Sequence, residues 1–324
     1  MNENISSNLG LDLVRATEAA ALGAGRSMGR GNNAIATRQA TTAMIEELNR
    51  LDIDGYIVIG EEGRIGSTSI LKSGTHVGTG NGPPMDVVVD PIDGTEFLIK
   101  GRAGAISVAA VAPRHAMWTP APAVYMQKIV VGAEAAEALV SECMDAPAAW
   151  TLALVARVMD KPVRDLVVFM LDRPRHADLM SEIQSTGARV MARDHGDIAG
   201  ALMALNKEVN VDILMGIGGV AEGILAACAT KTLGGAMLGR LAPQTAEERA
   251  AIKSAGMDVS RVLNNDELVS GGNIYFSATG ITDGILFSGV SYRGEFATTE
   301  SLVVRGDTGT RRVILTEHLL ADST

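Results

Sequence analysis

With 324 residues, 47% of them hydrophobic and 20% charged, the chain has the make-up of a globular protein long enough for two domains or one large α/β unit. A formal net charge of −10 leaves no basic stripe for nucleic acid, yet it does not exclude a small anion held by a few local groups. No apolar run reaches the length of a membrane span, the N-terminus lacks the regions of a secretory signal, and Cys143 and Cys228 match no metal or redox spacing, so a cytoplasmic protein with reduced thiols is expected.

Residues 11–28 read as an alanine-rich amphipathic helix ending near Gly29, and a second helix covers about 34–51 after the loop GRGNN. Residues 56–59 predict a buried strand with Glu61 just past its end. The turns of VGTGNGPP lead to a strand over 85–89, and AISVAAVA predicts another. GTGNG, Gly78 to Gly82, lacks G-x-G-x-x-G spacing and precedes prolines and a strand, which argues against a dinucleotide site.

Beyond Pro147 the pattern alternates. A helix over 148–159 precedes a strand over 166–171, and a helix starts near Pro174. Strands over 188–192 and 212–216 lead to helices starting at Asp197 and about Val220. IYFSAT, GILFSGV and RRVILTEHL are strand candidates in the tail. This order predicts an α/β protein with mixed sheets covered by helices. Two parts are expected, an N-terminal α+β part over 1–147 and a C-terminal α/β part over 148–324.

The stretch MDVVVDPIDGTEFLIKG, 85–101, carries the chemistry. Asp90 closes an apolar strand, Pro91 denies further ladder pairing, Asp93-Gly94 is turn chemistry, and Thr95 opens a helix. Two carboxylates and a hydroxyl at a helix N-terminus suit Mg²⁺ or Mn²⁺ together with a phosphate. A helix cap by Asp93 and a buried salt bridge by Asp90 account for the same letters. Glu61 also follows an apolar strand, and Glu222 lies in MGIGGVAEGILAA, where Gly218 and Gly219 permit close backbone approach. An acid in a first helical turn gains under about 1 kcal/mol from the helix dipole alone. Three strand exits bearing acids favour a divalent-metal cluster at a sheet edge.

Nearly the whole chain, from about Gly10 to His318, resembles the class II fructose-1,6-bisphosphatases, some of which also act on sedoheptulose 1,7-bisphosphate. The supporting segments are VDPIDGT, KGRAGAISVAAVAP, VYMQKIVVG, RPRHADLMSEIQ, GDIAGAL, DILMGIGGVAEG and IYFSATGITDG followed by ATTESLVVRG. VDPIDGT also resembles the wider lithium-sensitive phosphatase superfamily, which includes the inositol monophosphatases. The resemblance implies a layered α/β sugar-phosphatase fold and metal-dependent hydrolysis of a phosphate ester, with fructose 1,6-bisphosphate the leading substrate. It implies that Asp90, Asp93 and Glu222 ligate one metal and Glu61 a second. Asp93 stands where the family usually has Glu. Gly94 and Thr95 match substrate-phosphate contacts, with Thr95 also orienting the attacking water, so Thr95, Asp90 and Glu61 form the implied catalytic set. Tyr125, Arg173, Pro174, Arg175, Gly196, Asp197 and Gly219 match positions that hold sugar and phosphate groups.

The chain departs from that pattern at several points. The family normally reads Gly-acid-Lys-x-x-Ala-Asp where this chain has Asn32, Asn33 and Thr37 in place of the acid, the lysine and a metal-binding Asp. After Glu61 further family acids give way to GRIGSTSIL, and His195 replaces an acid of the sugar-binding Asp-Gly-Asp segment. A weak metal site at Glu61 is therefore expected, since Thr37 offers a neutral oxygen only, while the other site keeps its three carboxylates. His195 suits an additional anion or a different sugar, and equally a neutral surface imidazole. Two alternatives stand beside the phosphatase reading: a paralogue acting on another sugar phosphate, and a sugar-phosphate-binding protein without turnover. A homo-oligomer is expected in each case.

Overall fold

Leu9, Leu13, Ala16, Ala20 and Ala24 recur at helical spacing and are buried, so α1 (Leu9–Gly25) is a packed helix. The structure, a computed structural model, describes residues 8–60 and 71–320. α2 (Asn33–Leu48) starts where the Asn32 side-chain oxygen accepts the Ile35 N–H at 3.0 Å, a cap worth about 1 kcal/mol. Then come β1 (Asp54–Ile59), β2 (His76–Val77), β3 (Pro84–Asp93), α3 (Thr95–Ile99) and β4 (Ile106–Pro113). β1 runs parallel to β3, and β4 antiparallel to it. Leu13, Met44, Leu48, Ile57, Val87 and Val89 share one apolar cluster that joins both helices to the sheet.

Residues Met117–Gly272 form a second compact unit. Its elements are β5 (Tyr125–Val131), α4 (Ala148–Val158), β6 (Val167–Leu171), α5 (Ala177–Ser185), β7 (Arg189–Arg193), α6 (Asp197–Leu205), β8 (Ile213–Gly219) and α7 (Val220–Leu233). β9 (Ala236–Leu241), α8 (Ala246–Ser254), β10 (Leu263–Asn264) and α9 (Asn265–Leu268) complete it. The sheet order is β10-β9-β5-β8-β6-β7. β6 is parallel to β7 and β8, whereas β5 is antiparallel to β8 and β9, so this sheet is mixed as expected. Ile129, Leu152, Val168 and Ile213 centre its own core.

The chain then returns to the first unit, which joins Met1–Ala116 to Asn273–Thr324. β11 (Tyr275–Gly280) pairs with β4, and β12 (Ser291–Arg293), β13 (Phe296–Arg305) and β14 (Thr310–Leu319) follow. The order is β12-β13-β11-β4-β3-β1-β2, with β14 along β13. No helix among the described residues is long and apolar enough to cross a membrane.

Three details differ from the sequence reading. The units divide after Ala116 and after Gly272 rather than at 147/148, because β5 is ladder-bonded to β8 and β9 while the tail strands complete the first sheet. β3 does not stop at Asp90. It runs to Asp93 past Pro91, with its register to β4 shifting between Asp90 and Asp93. GILFSGV is a loop, in which the Gly284 N–H donates to the Phe287 carbonyl and the Gly289 N–H to Asp283 Oδ1, each at 2.9 Å.

Candidate active site

In the first unit, Asp90 and Asp93 lie on the irregular last part of β3, and Gly94 and Thr95 lead directly from it into α3. The Ile92 N–H donates to Asp90 Oδ1 at 3.1 Å, and the Thr95 hydroxyl donates to the Ile92 carbonyl at 3.1 Å. The two bonds bind the irregular end of the strand to the first residue of α3. Gly94 has φ 87°, and a Cβ there would stand 2.9 Å from the Phe97 ring, so only glycine makes this turn without strain. Glu61 lies outside the described residues.

The altered loop before α2 is satisfied locally. Asn32 caps the helix, and the Thr37 hydroxyl donates to Asn33 Oδ1 at 2.9 Å one turn back. Asn32, Asn33 and Thr37 therefore form a neutral helix start, with none of the charge that an acid, a lysine and an aspartate would bring.

In the second unit, the structure brings the expected sugar and phosphate residues together. Tyr125 on β5 pairs with Gly219 on β8. Arg173 precedes a short turn, Pro174–His176, at the end of β6, and the Arg175 guanidinium lies 5.4 Å from the Tyr125 ring centre. Arg175 is anchored by two donations to the Ile217 carbonyl, from Nε at 3.3 Å and Nη2 at 2.8 Å. Desolvation lowers its pKa from the ordinary value; Tyr125, Asp197 and Glu222 oppose that shift, and Arg173 adds to it. Arg173 Nη2 donates to His195 Nδ1 at 3.4 Å, which makes that ring nitrogen an acceptor in this contact. Gly196, with φ 86°, leads into α6, whose first residue is Asp197.

Sequence reasoning missed three residues here. Lys128, on β5, is fully buried and its ammonium is ion-paired with buried Asp197. A Cβ on Gly218 would lie 1.8 Å from Asp197 Oδ2, and one on Gly219 would lie 2.1 Å from Glu222 Oε2, so this glycine pair makes room for both carboxylates. His176 is also buried. Its Nε2 accepts the Ile217 N–H at 2.8 Å, so the proton sits on Nδ1, which donates to the Leu171 carbonyl at 2.7 Å. The ring thus ties β8 to the end of β6, beside the carbonyl that holds Arg175. Glu248 accepts the N–H groups of Val124 and Tyr125 at 2.7 and 3.0 Å and fixes the start of β5. A lysine directly before the apolar run Ile129, Val130 and Val131 is the one signal in the sequence for Lys128.

Either unit by itself, among the described residues, lacks a group of three His, Cys, Asp or Glu arranged to hold a metal. The expected ligands nonetheless fit a hard divalent cation in kind. Asp90, Asp93 and Glu222 are all carboxylates, only 4%, 3% and 4% exposed, and such all-oxygen donors suit Mg²⁺ or Mn²⁺.

Comparison with known proteins gives a consistent result. A family model described as "Bacterial fructose-1,6-bisphosphatase, glpX-encoded" matches residues 7–318. The chain is 38% identical over 325 aligned positions, covering 96% of it and 95% of the relative, to "Fructose-1,6-bisphosphatase 1 class 2" of Escherichia coli K12. "Fructose-1,6-bisphosphatase class 2" of Escherichia coli O6:H1 and of Shigella flexneri match with the same 38% identity and the same coverage.

Proposed function

The chain belongs to the class 2 fructose-1,6-bisphosphatase family, and from that membership we propose that it hydrolyses fructose 1,6-bisphosphate to fructose 6-phosphate and phosphate. The family consists of phosphoric monoester hydrolases that depend on divalent metals. The observation that carries the reading is the match across residues 7–318, which takes in every site residue named above. A match of that length favours retained hydrolysis over a repurposed or silent pocket.

Asp90, Asp93 and Glu222 are the proposed ligands of one cation and Glu61 of a second, with Mg²⁺ and Mn²⁺ as the candidates. A cation held there neutralises phosphoryl oxygens and lowers the pKa of water, the two needs of a slow phosphomonoester hydrolysis. The Thr95 hydroxyl proton is engaged by the Ile92 carbonyl at 3.1 Å, so Oγ1 is left to accept a hydrogen bond from a water and orient its attack. Gly94 lets the backbone approach the phosphate closely. Arg175 spends Nε and Nη2 on Ile217, which fixes its plane and leaves Nη1 for the phosphate that is not cleaved. Arg173 adds a second positive charge, Tyr125 supports the Arg175 guanidinium, and Lys128 positions Asp197 for the sugar hydroxyls. With Thr37 in place of an aspartate, the site that takes Glu61 is the weak one. A cytoplasmic homo-oligomer completes the proposal.

The test is phosphate release from fructose 1,6-bisphosphate by chelator-treated protein, with Mg²⁺ or Mn²⁺ added back. Metal-dependent release is expected. A folded protein that releases no phosphate with either metal overturns the reading.

A further inference from the structure

The last strand of the first sheet is exposed in a way that the phosphatase reading does not use. β14 pairs with β13 alone, so among the described residues its far edge bears the unpaired N–H and C=O groups of a ten-residue strand. Its register with β13 runs from Phe296↔Leu319 to Arg305↔Thr310 without a bulge, and its sequence, TRRVILTEHL, holds neither proline nor lysine. A bulge and a proline are two of the devices that keep a sheet edge from pairing; a third, charged side chains, is present here as Arg311, Arg312 and Glu317. The outward face is also apolar. Val313, Leu315 and Leu319 are 59%, 76% and 71% exposed, and Phe296 beside Leu319 is 41% exposed.

We infer that a second copy of this chain adds to this edge antiparallel, across a two-fold axis passing at Ile314, and extends the sheet through both copies. This deepens the homo-oligomer reading by naming its surface. Side chains alternate between faces, so a permitted register must bring odd-numbered residues opposite odd-numbered ones. With the axis at Ile314, Arg311 faces Glu317 of the partner subunit and Val313 faces Leu315 of the partner subunit, and each pair occurs twice. Moving the axis by one residue sets Glu317 against Val313 or Gly309 of the partner subunit, and moving it by two sets Glu317 against Leu315 of the partner subunit or leaves it beyond the paired segment. The Ile314 register alone matches opposite charge with opposite charge and apolar with apolar, the two kinds of cross-strand pair that stabilise a sheet. A closed two-fold contact of this kind consumes both free edges.

Sedimentation equilibrium of the full chain tests the surface through charge reversal at exposed positions. The wild type is expected at an even multiple of the chain mass. Arg311→Glu and Glu317→Arg should each weaken self-association by about tenfold or more, because two opposite-charge pairs become two like-charge pairs. The double variant Arg311→Glu/Glu317→Arg should restore the wild-type association. A monomeric wild type overturns both the oligomer and this surface. An oligomer whose association is unmoved by the single reversals, or not restored by the double, overturns this surface and leaves the oligomer standing. Phosphate release by any of these proteins bears on the separate catalytic reading.

Discussion

Replacing Lys128 with methionine isolates the ion pair at the heart of the second unit. The side chain is fully buried, Asp197 is 8% exposed, and the ammonium is paired to Oδ2 of that aspartate. Methionine keeps the apolar stem and removes the charge, so the variant differs mainly in leaving a carboxylate buried without its cation. Breaking one side of such a pair costs about 3–5 kcal/mol, far more than the pair's net worth against an apolar replacement. Urea unfolding followed by tryptophan fluorescence reads the right part of the molecule, because both tryptophans, Trp118 and Trp150, lie in this unit. Lys128→Met and Asp197→Asn should each lose about 3–5 kcal/mol, and the double variant should lose at least about 2 kcal/mol less than their sum. A loss under about 1 kcal/mol for Lys128→Met, or strict additivity, would refute the pairing as the reason for the buried lysine.

The remaining predictions concern charge, metal and pH. Asp90→Asn should abolish phosphate release while leaving the circular dichroism spectrum and unfolding midpoint near those of the wild type; full activity would remove this residue from the chemistry. Thr37→Asp should lower the half-saturating metal concentration by about tenfold, since it adds a charged oxygen to the ligand set, and an unchanged or raised value would contradict a weakened site. Burial lowers the pKa of the His176 imidazole below the ordinary 6.5, against the opposing bond to Leu171. Its neutral form then contributes stability that is complete above that value and is lost as pH falls toward the depressed folded pKa. The urea midpoint of the second unit should drop between about pH 7 and pH 5, and less so in His176→Asn; equal drops would dismiss the linkage.

Local rules made much of this molecule legible. The alanine and leucine spacing announced α1, and the β8-to-α7 glycine turn announced where Glu222 would stand. VDPIDGT placed Asp90, Asp93 and Thr95 on one strand exit, as the structure has them. Where the strand ends is less legible, because a proline reads as a stop to ladder pairing. Pairing of β3 with β1 is over by Val88, and the register to β4 shifts between Asp90 and Asp93, so Pro91 sits where no regular ladder bond is required. β5 and β9 carry no clear strand signal because Gln127, Lys128 and Arg240 interrupt their apolar runs. Gln127 faces Arg240 across the ladder and accepts from its Nε at 3.0 Å, so the interruptions satisfy one another. Lys128 and Asp197 are 69 residues apart in sequence, a distance at which spacing carries no information about pairing.

The interrupted course of the first unit has a consequence for how the protein is made. β4 leaves the ribosome at Pro113, but its neighbour β11 begins only at Tyr275, after the entire second unit. At about 5–20 residues per second, the growing chain carries an open, largely apolar strand edge for roughly ten to thirty seconds. During that interval the middle segment is already free to fold as a unit. Nascent chains released before Tyr275 lack the cover for β4, which makes prematurely terminated products of this chain targets for chaperones and proteases.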